Sequence, residues 1–386
     1  MKLLFVHDHI FIKYNDEIYS NTFSYTLLKR YRNIFSKITI IARVKEVNTP
    51  VKLSLASGKG IDFIFFKSIS SVSSYFGLRK KYKKKIENIL EKHDRVIVRV
   101  PSEFGMMTAS LAKTLNKKYL VEVVGCAWDV MLYYGGWKSK VYAPFFYWKM
   151  RKSVREATYV IYVTTTFLQS RYPSSLAKTI ALCDADVDKV EENIIIQRLM
   201  KIENKPQKII FGTMTNLNLE YKGIDIAIRV LGNISNQNFE YRIMGGGESI
   251  KYREYAQRYG IASKIIFEGI GSGKKNINQW LDTIDIYLQP SRVEGLPRAV
   301  IEAMSRGCPV LASDIGGIPE LLNNKMLFNP HKDYEFKNII NMLLKNNKSM
   351  KKEALTNYLK AKKFENILLD KERENFLRQF KEDILS

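Results

Sequence analysis

The chain has 386 residues, room for two domains at about 100–200 residues each. Its 46% apolar and 12% aromatic content excludes a disordered chain, and three scattered cysteines (Cys126, Cys183, Cys308) exclude a disulfide framework or a zinc site. With 62 Lys+Arg against 39 Asp+Glu the formal charge is +23, which draws the chain to polyanions: nucleic acid, anionic lipid or phosphorylated small molecules.

The opening MKLLFVHDHIF is too short an apolar stretch for a signal peptide, and no small-residue cleavage site follows it. Lys2–Val6 reads as a strand, with His7 and His9 in the polar loop beyond it. Further strands are expected at Ile38–Ala42, Ile61–Phe66, Arg95–Val100, Tyr119–Val124 and Tyr159–Val163. A second series follows at Lys208–Phe211, Glu240–Met244, Ile265–Phe267, Ile286–Gln289 and Val310–Ser313. These runs are short, rich in Val, Ile, Tyr and Phe, and alternate with amphipathic helical patterns. That is the signature of parallel sheets covered on both faces, and two series predict two Rossmann-like doubly wound α/β domains. The expected division is an N-terminal domain over 1–190, a linker over 191–206 in which IIIQRLMKI reads as a short helix or strand, and a C-terminal domain over 207–366. Residues 367–386 are expected to form a helix packing back on the N-terminal domain. No run of 18 apolar residues occurs, so no membrane span is expected. Low cysteine content points to the reducing cytoplasm.

The stretch Asp285–Leu322, DIYLQPSRVEGLPRAVIEAMSRGCPVLASDIGGIPELL, carries the chemistry. IYLQ is a strand, PSRVEGLP the loop at its carboxyl end, and PRAVIEAMSR a helix with Pro297 expected at its first position. Gly307 and Pro309 end that helix. In an open α/β sheet ligands bind at the carboxyl ends of strands, so the free amides of this helix face an anion. Glu294 in the loop and Glu302 in the helix supply carboxylates at two depths, suited to the diols of two sugar rings on either side of a diphosphate.

Glu294 and Glu302, with EAMSRGCPVLAS and GGIPE after them, resemble the donor-site signature of family 4 glycosyltransferases, retaining enzymes of the GT-B fold. FGTMTNLNLEYKGIDIAI (Phe211–Ile228), IMGGGE (Ile243–Glu248) and FEGIGSG (Phe267–Gly273) resemble further family segments in the expected order. The wording EGLPRAVIEAMSRG and RVPSEFG…VEVVGCAWD…YVTTTFLQSRYP resembles bacterial members that build capsule or lipopolysaccharide repeat units. The resemblance implies two Rossmann-like domains facing across a cleft. The activity it implies is transfer of a hexosyl or N-acetylhexosaminyl group from a nucleotide-diphosphate sugar, a UDP-sugar first, to a saccharide or lipid-diphosphate-saccharide acceptor. No metal and no other cofactor is expected.

By that resemblance Glu302 accepts from the ribose hydroxyls, and Glu294 holds the transferred sugar. Gly295, Leu296 and Pro297 lay their backbone on the sugar and phosphates, with one amide lost at Pro297. Lys222 neutralises the diphosphate, an attraction of about 4 kcal/mol at about 4 Å and an effective dielectric near 20, before desolvation. Gly212, Thr213, Gly246, Gly269 and Ile270 complete the expected donor site. Thr213 and Met214 stand where many members have an arginine after the glycine, so Arg298, or Arg292, is expected to substitute. The N-terminal half has SNTF (Ser20–Phe23) in place of a glycine pair, and VEVVGCAWDVM in place of a strand-end histidine. Asp129 is therefore the expected catalytic or acceptor-side group, with Trp128 as a stacking platform.

RKKYKKK (Arg79–Lys85) and the aromatic, basic stretch Tyr133–Arg155 suit an anionic bilayer interface on the inner face of the cytoplasmic membrane. A solvated helix face and an ordinary core account for them equally well. Nucleic-acid binding would explain the charge too, yet no recognition module is present and no nucleic-acid partner is expected. A sugar-nucleotide epimerase of the same fold is the other enzymatic reading. A two-carboxylate hydrolase ranks below it, because Glu302 lies within a phosphate-binding unit.

Overall fold

The computed structural model describes residues 1–383 apart from Asn21, Lys52, 68–71, Gly135, Lys205 and Ser272, and leaves out the side chains of 72–77 and Tyr134. Asn21, Lys205, Ser272 and Ile384, each within a segment discussed above, thus lie outside the described residues. The chain divides into two units, Met1–Leu182 with Asp370–Ser386, and Cys183–Leu369.

The first unit runs β1 (Lys2–Tyr14), β2 (Glu17–Tyr19), α1 (Tyr25–Arg32), β3 (Lys37–Glu46), β4 (Ile61–Phe65), α2 (Val72–Glu91) and β5 (Arg95–Val100). It continues with α3 (Glu103–Thr114), β6 (Tyr119–Val123), α4 (Ala127–Tyr134), α5 (Trp137–Arg155), β7 (Tyr159–Tyr162), α6 (Phe167–Arg171) and β8 (Lys178–Ala181). Its sheet has the order β4-β3-β1-β5-β6-β7-β8, parallel apart from the hairpin partner β2. All five residues of β6 are buried, as expected of a strand covered on both faces.

The second unit runs α7 (Glu192–Glu203), β9 (Ile209–Met214), α8 (Ile224–Leu231), β10 (Phe239–Met244), α9 (Ile250–Arg258), β11 (Ile265–Gly269) and α10 (Lys274–Thr283). Then come β12 (Ile286–Gln289), α11 (Arg298–Ser305), β13 (Val310–Ser313), β14 (Leu327–Phe328), α12 (Asp333–Lys345) and α13 (Asn347–Ala361). Its parallel sheet has the order β11-β10-β9-β12-β13-β14. Every strand read from the sequence is present in one of the two sheets.

Three features correct or refine the expectations. First, β1 does not end at Val6; it shifts register between Val6 and Ile10 and runs on to Tyr14. It then turns through Asn15 and Asp16, both at positive φ, into β2. A two-residue hairpin turn of this kind needs left-handed backbone at both central positions, which Asn and Asp tolerate. His7 and His9 therefore lie within a strand, and His9 packs edge-on against Phe11 and Phe23. Second, of the two readings of IIIQRLMKI the structure has the helix, α7, and it packs on α13. Ile195, Arg198 and Ile202 form its buried face at helical spacing. The Arg198 guanidinium donates to the carbonyls of Ile284, Leu281 (2.9 Å) and Arg306 (3.1 Å). Third, β8 and β14 were not anticipated, each being a short edge strand of two to four residues.

The last helix, α14 (Asn366–Glu382), belongs to the first unit from Asp370 onward. Phe376 and Phe380 meet Tyr159 edge-on, each at 5.3 Å. Arg95 on β5 donates to the carbonyls of Phe380 (2.9 Å), Lys381 (3.0 Å) and Asp383 (2.7 Å). These are the carbonyls a helix end leaves unpaired, and a cation there also complements the helix dipole.

Candidate active site

In the second unit β9 and β12 are neighbours at the centre of the sheet, and the strand order reverses between them. Loops leaving their carboxyl ends diverge and open a crevice. After β9 the chain makes a single 3-10 turn, Glu220–Lys222, and Gly223 follows at φ 72°. A β-carbon at Gly223 would stand 1.8 Å from the Pro290 carbonyl oxygen. This glycine lets Lys222 lie directly against the loop that follows β12. Gly223→Ala is expected to destabilise the fold by more than about 2 kcal/mol, from left-handed strain plus a backbone clash. A thermal melt would show a fall of roughly 4–8 °C, and an unchanged midpoint would contradict this packing.

The Lys222 ammonium lies 2.7 Å from Glu294 Oε1. Glu294 is 8% exposed. The same Oε1 accepts from Gln289 Nε2 (2.9 Å) and Ser291 Oγ (2.7 Å), while Oε2 takes no hydrogen bond among the described residues. Three donors on one oxygen fix the carboxylate's orientation and leave the other oxygen for a ligand. Gln289 and Ser291 were not singled out in the sequence. Their signal was position: the last residue of a buried strand and the second residue of the loop after it.

The PSRVEGLP loop is held by the turn after β13. A β-carbon at Gly316 (φ 57°) would meet the Glu294 carbonyl oxygen at 2.2 Å, and the Gly317 amide donates to the Gly295 carbonyl at 2.7 Å. Pro297 is the N-cap of α11, with φ −73° and ψ 111°, one position earlier than expected. The first helical residue is Arg298. The amides of Gly295, Leu296, Arg298 and Ala299 donate to nothing among the described residues, so the helix start remains an open anion site.

Glu302, one turn into α11, is half-buried, and its carboxylate accepts no hydrogen bond among the described residues. Burial raises its pKa above the ordinary carboxylate range, with Asp186 acting the same way and Arg298 and Lys274 opposing. Arg298 is exposed and forms no ion pair among the described residues. Arg292, the alternative phosphate cation, is instead clamped on Asp225 through two bonds of 2.8 and 2.5 Å, a bidentate pairing that occupies its fork.

The remaining expected donor residues fall into two groups. Gly246, Gly269 and Ile270 meet at the carboxyl ends of β10 and β11: a β-carbon on Gly246 would touch the Ile270 side chain at 3.0 Å. Ile270 is 52% exposed. Gly212 and Thr213 lie inside β9 and are not brought to the crevice. Gly212 pairs with Arg242 and Tyr287 and leaves no room for a β-carbon beside Ile284. The Thr213 hydroxyl, 2.8 Å from both Tyr241 OH and the Leu288 carbonyl, is buried between strands.

In the first unit Trp128 and Asp129 sit in the first turn of α4. The Trp128 ring is partly buried, meets Tyr147 edge-on at 6.1 Å and packs on the core. Asp129 is half-buried beside Cys126, whose thiol is raised by burial and by that carboxylate. Asp8, overlooked in the sequence, accepts from the Glu103 (2.6 Å) and Phe104 (3.1 Å) amides at the start of α3. His9, 2.8 Å from Ser20 Oγ, is pushed down to about 4 by burial and by Arg43 and Arg99, so it is neutral at pH 7. Among the described residues no group of three or more His, Cys, Asp or Glu is placed to hold a metal ion, and no helix is long and apolar enough to cross a membrane.

A family profile, Glycosyl transferases group 1, matches residues 196–361, which contain the whole crevice just described. Protein CapJ of Staphylococcus aureus is 33% identical over 381 residues, covering 97% of this chain and 94% of that protein. The amylovoran biosynthesis glycosyltransferase AmsK of Erwinia amylovora is 33% identical over 115 residues, 28% of each chain. Among solved structures, Anabaena HepE in complex with UDP superposes with a TM-score of 0.68 at 14% identity, over 98% of this chain and 99% of that one.

Proposed function

The chain belongs to the group 1 glycosyl transferases, with their GT-B fold, and on that premise we propose the finer reaction it performs. A hexosyl or N-acetylhexosaminyl group passes from a nucleotide-diphosphate sugar, a UDP-sugar first, to a saccharide acceptor on a lipid diphosphate. The configuration is retained, no metal takes part, and the product is a bacterial surface polysaccharide unit. The observation that carries this is the Lys222–Glu294 pair beside the unpaired amides of α11: cation and helix start suit a diphosphate, and the free Glu294 Oε2 suits a sugar hydroxyl. The solved complexes of Anabaena HepE with UDP and UDP-glucose support the choice of base.

In this reading the bond from the anomeric carbon to the diphosphate oxygen breaks while the acceptor oxygen bonds to the same face of that carbon. The acceptor hydroxyl proton passes to the departing phosphate oxygen. Charge grows on the diphosphate as it leaves, so Lys222, Arg298 and the α11 amides stabilise the transition state more than the bound donor. Glu302 accepts from the ribose hydroxyls, and Glu294 holds the sugar. Asp129 is assigned to the acceptor side. UDP and UDP-sugars are expected to raise the melting temperature, and NMR of the product to show the donor's anomeric configuration, with EDTA leaving the rate unchanged. An inverted product would refute the front-face route; stabilisation by short DNA or RNA but by no nucleotide would refute the enzyme reading.

A further inference from the structure

The first unit carries a groove that glycosyl transfer as described does not use. It is a cavity of about 410 Å³ among α2, α3 and α5. Met106, Met107 and Leu111 of α3 form part of its lining. Arg79, Lys83, Lys149 and Lys152 line it as well, against one carboxylate, Glu156. Lys149 is held by Glu103 at 2.5 Å and Lys152 faces Glu156 more loosely at 4.0 Å, whereas Lys83 is exposed and has no ion pair among the described residues. Phe145 and Trp148 form one wall.

That wall is the end of a longer feature. Trp137, Val141, Phe145 and Trp148 stand at intervals of four, four and three along α5, one face of a helix. They are respectively 72%, 72%, 45% and 55% exposed. Leu132 and Tyr133 of α4, which packs on α5, are exposed too. Cations flank the stripe: Lys138, Lys140, Arg151 and Arg155 are all exposed. Lys149 and Lys152 lie over the rings of Phe145 and Trp148 at 5.6 Å each. On α2, Lys80, Lys81, Lys84 and Lys85 add a second basic face.

We propose that this groove and stripe seat the chain on an anionic phospholipid bilayer, one lipid phosphate entering the groove between Lys83 and Lys152 while the α5 stripe lies among the upper acyl chains. Charge complementarity selects the occupant: the chain carries +23 and the groove is cationic over an apolar floor. Aromatic rings with flanking lysines favour the interfacial level of a bilayer. A nucleic-acid backbone would match the cations but not the aliphatic Val141 and methionine lining. The inference takes its purpose from the proposed lipid-borne acceptor, yet it is tested with neither donor nor acceptor present, so the two can fail separately.

The full chain is to be sedimented with vesicles of phosphatidylcholine alone and with 30% phosphatidylglycerol, about the fraction that gives a strongly anionic surface. Binding only to the anionic vesicles is expected, weakening as salt rises. Lys83→Ala/Lys152→Ala should reduce that binding about 30-fold, at the usual contribution of a lysine near an anionic surface. Trp148→Ala should weaken it while leaving the salt dependence in place. Both variants change groups at the protein surface, and an unchanged thermal melt would show that they fold. No binding by the parent chain overturns the proposal. So does loss of binding in a Lys80/Lys81/Lys84/Lys85→Ala variant with the groove variants unaffected, which would assign the attraction to the other face of α2. A dimer in analytical ultracentrifugation that Trp148→Ala dissociates, with no vesicle binding, would assign the stripe to a second copy instead.

Discussion

Lys222→Ala is expected to lower kcat by about 10²–10³-fold, the usual loss when one preorganised donor to a developing anion is removed. Affinity for UDP should fall far less, by about 10-fold, because the α11 amides remain. The split follows from geometry. The lysine is held 2.7 Å from Glu294 Oε1 and its side chain is only 20% exposed, so it is in place before the diphosphate begins to leave and needs no reorganisation. Removing it also takes the cation from a buried carboxylate that keeps two neutral donors, Gln289 and Ser291. The apo protein should therefore lose about 1–3 kcal/mol of stability. Steady-state kinetics and a UDP titration by calorimetry check the split. Equal losses in both would mean the lysine binds ground state and transition state alike, and no loss in either would place the diphosphate elsewhere.

Glu302→Ala is expected to weaken UDP binding by about 10–100-fold, the scale of hydrogen bonds from hydroxyls to a charged acceptor, while leaving binding of inorganic pyrophosphate unchanged. The carboxylate is half-buried and accepts no hydrogen bond among the described residues, so a ligand hydroxyl need displace only water. Burial raises its pKa, and the ionised form is the better double acceptor. Affinity for UDP should therefore fall as pH is lowered through that raised pKa, and Glu302→Gln should flatten this dependence. The stability effect has the opposite sign. The unfolded chain loses this proton at the ordinary carboxylate pH while the folded chain still holds it, so between the two pKa values the native state binds more protons and stability declines as pH rises. Glu302→Gln removes that penalty and should raise the melting temperature of the apo protein at pH 7. A UDP affinity independent of pH in the parent chain would remove Glu302 from the ribose.

Much of the donor crevice was legible because it is local. PSRVEGLP, the α11 helix and the GG turn after β13 are consecutive in sequence, and their constraints are backbone constraints: the Gly316 β-carbon would strike the Glu294 carbonyl. Lys-Gly at 222–223 was legible for the same reason. The roles of Gly212 and Thr213 were not. A strand's residue beside a loop can point into the crevice or between neighbouring strands, and register with β10 and β12 decides which.

The sequence alone determined the two α/β units, the order of their main strands and the two acids and one lysine of the crevice, because apolar period, glycine placement and helix caps act over a few residues. Only the tertiary structure decided which arginine pairs with Asp225 and which has no ion pair among the described residues, which Glu294 oxygen is occupied, and which face of α7 is buried. Those outcomes depend on partners 67 residues apart for Arg292 and Asp225 and 86 apart for Arg198 and Ile284. No local propensity encodes them. They are set when long-range packing brings donors and acceptors into a dry interior where each must be satisfied.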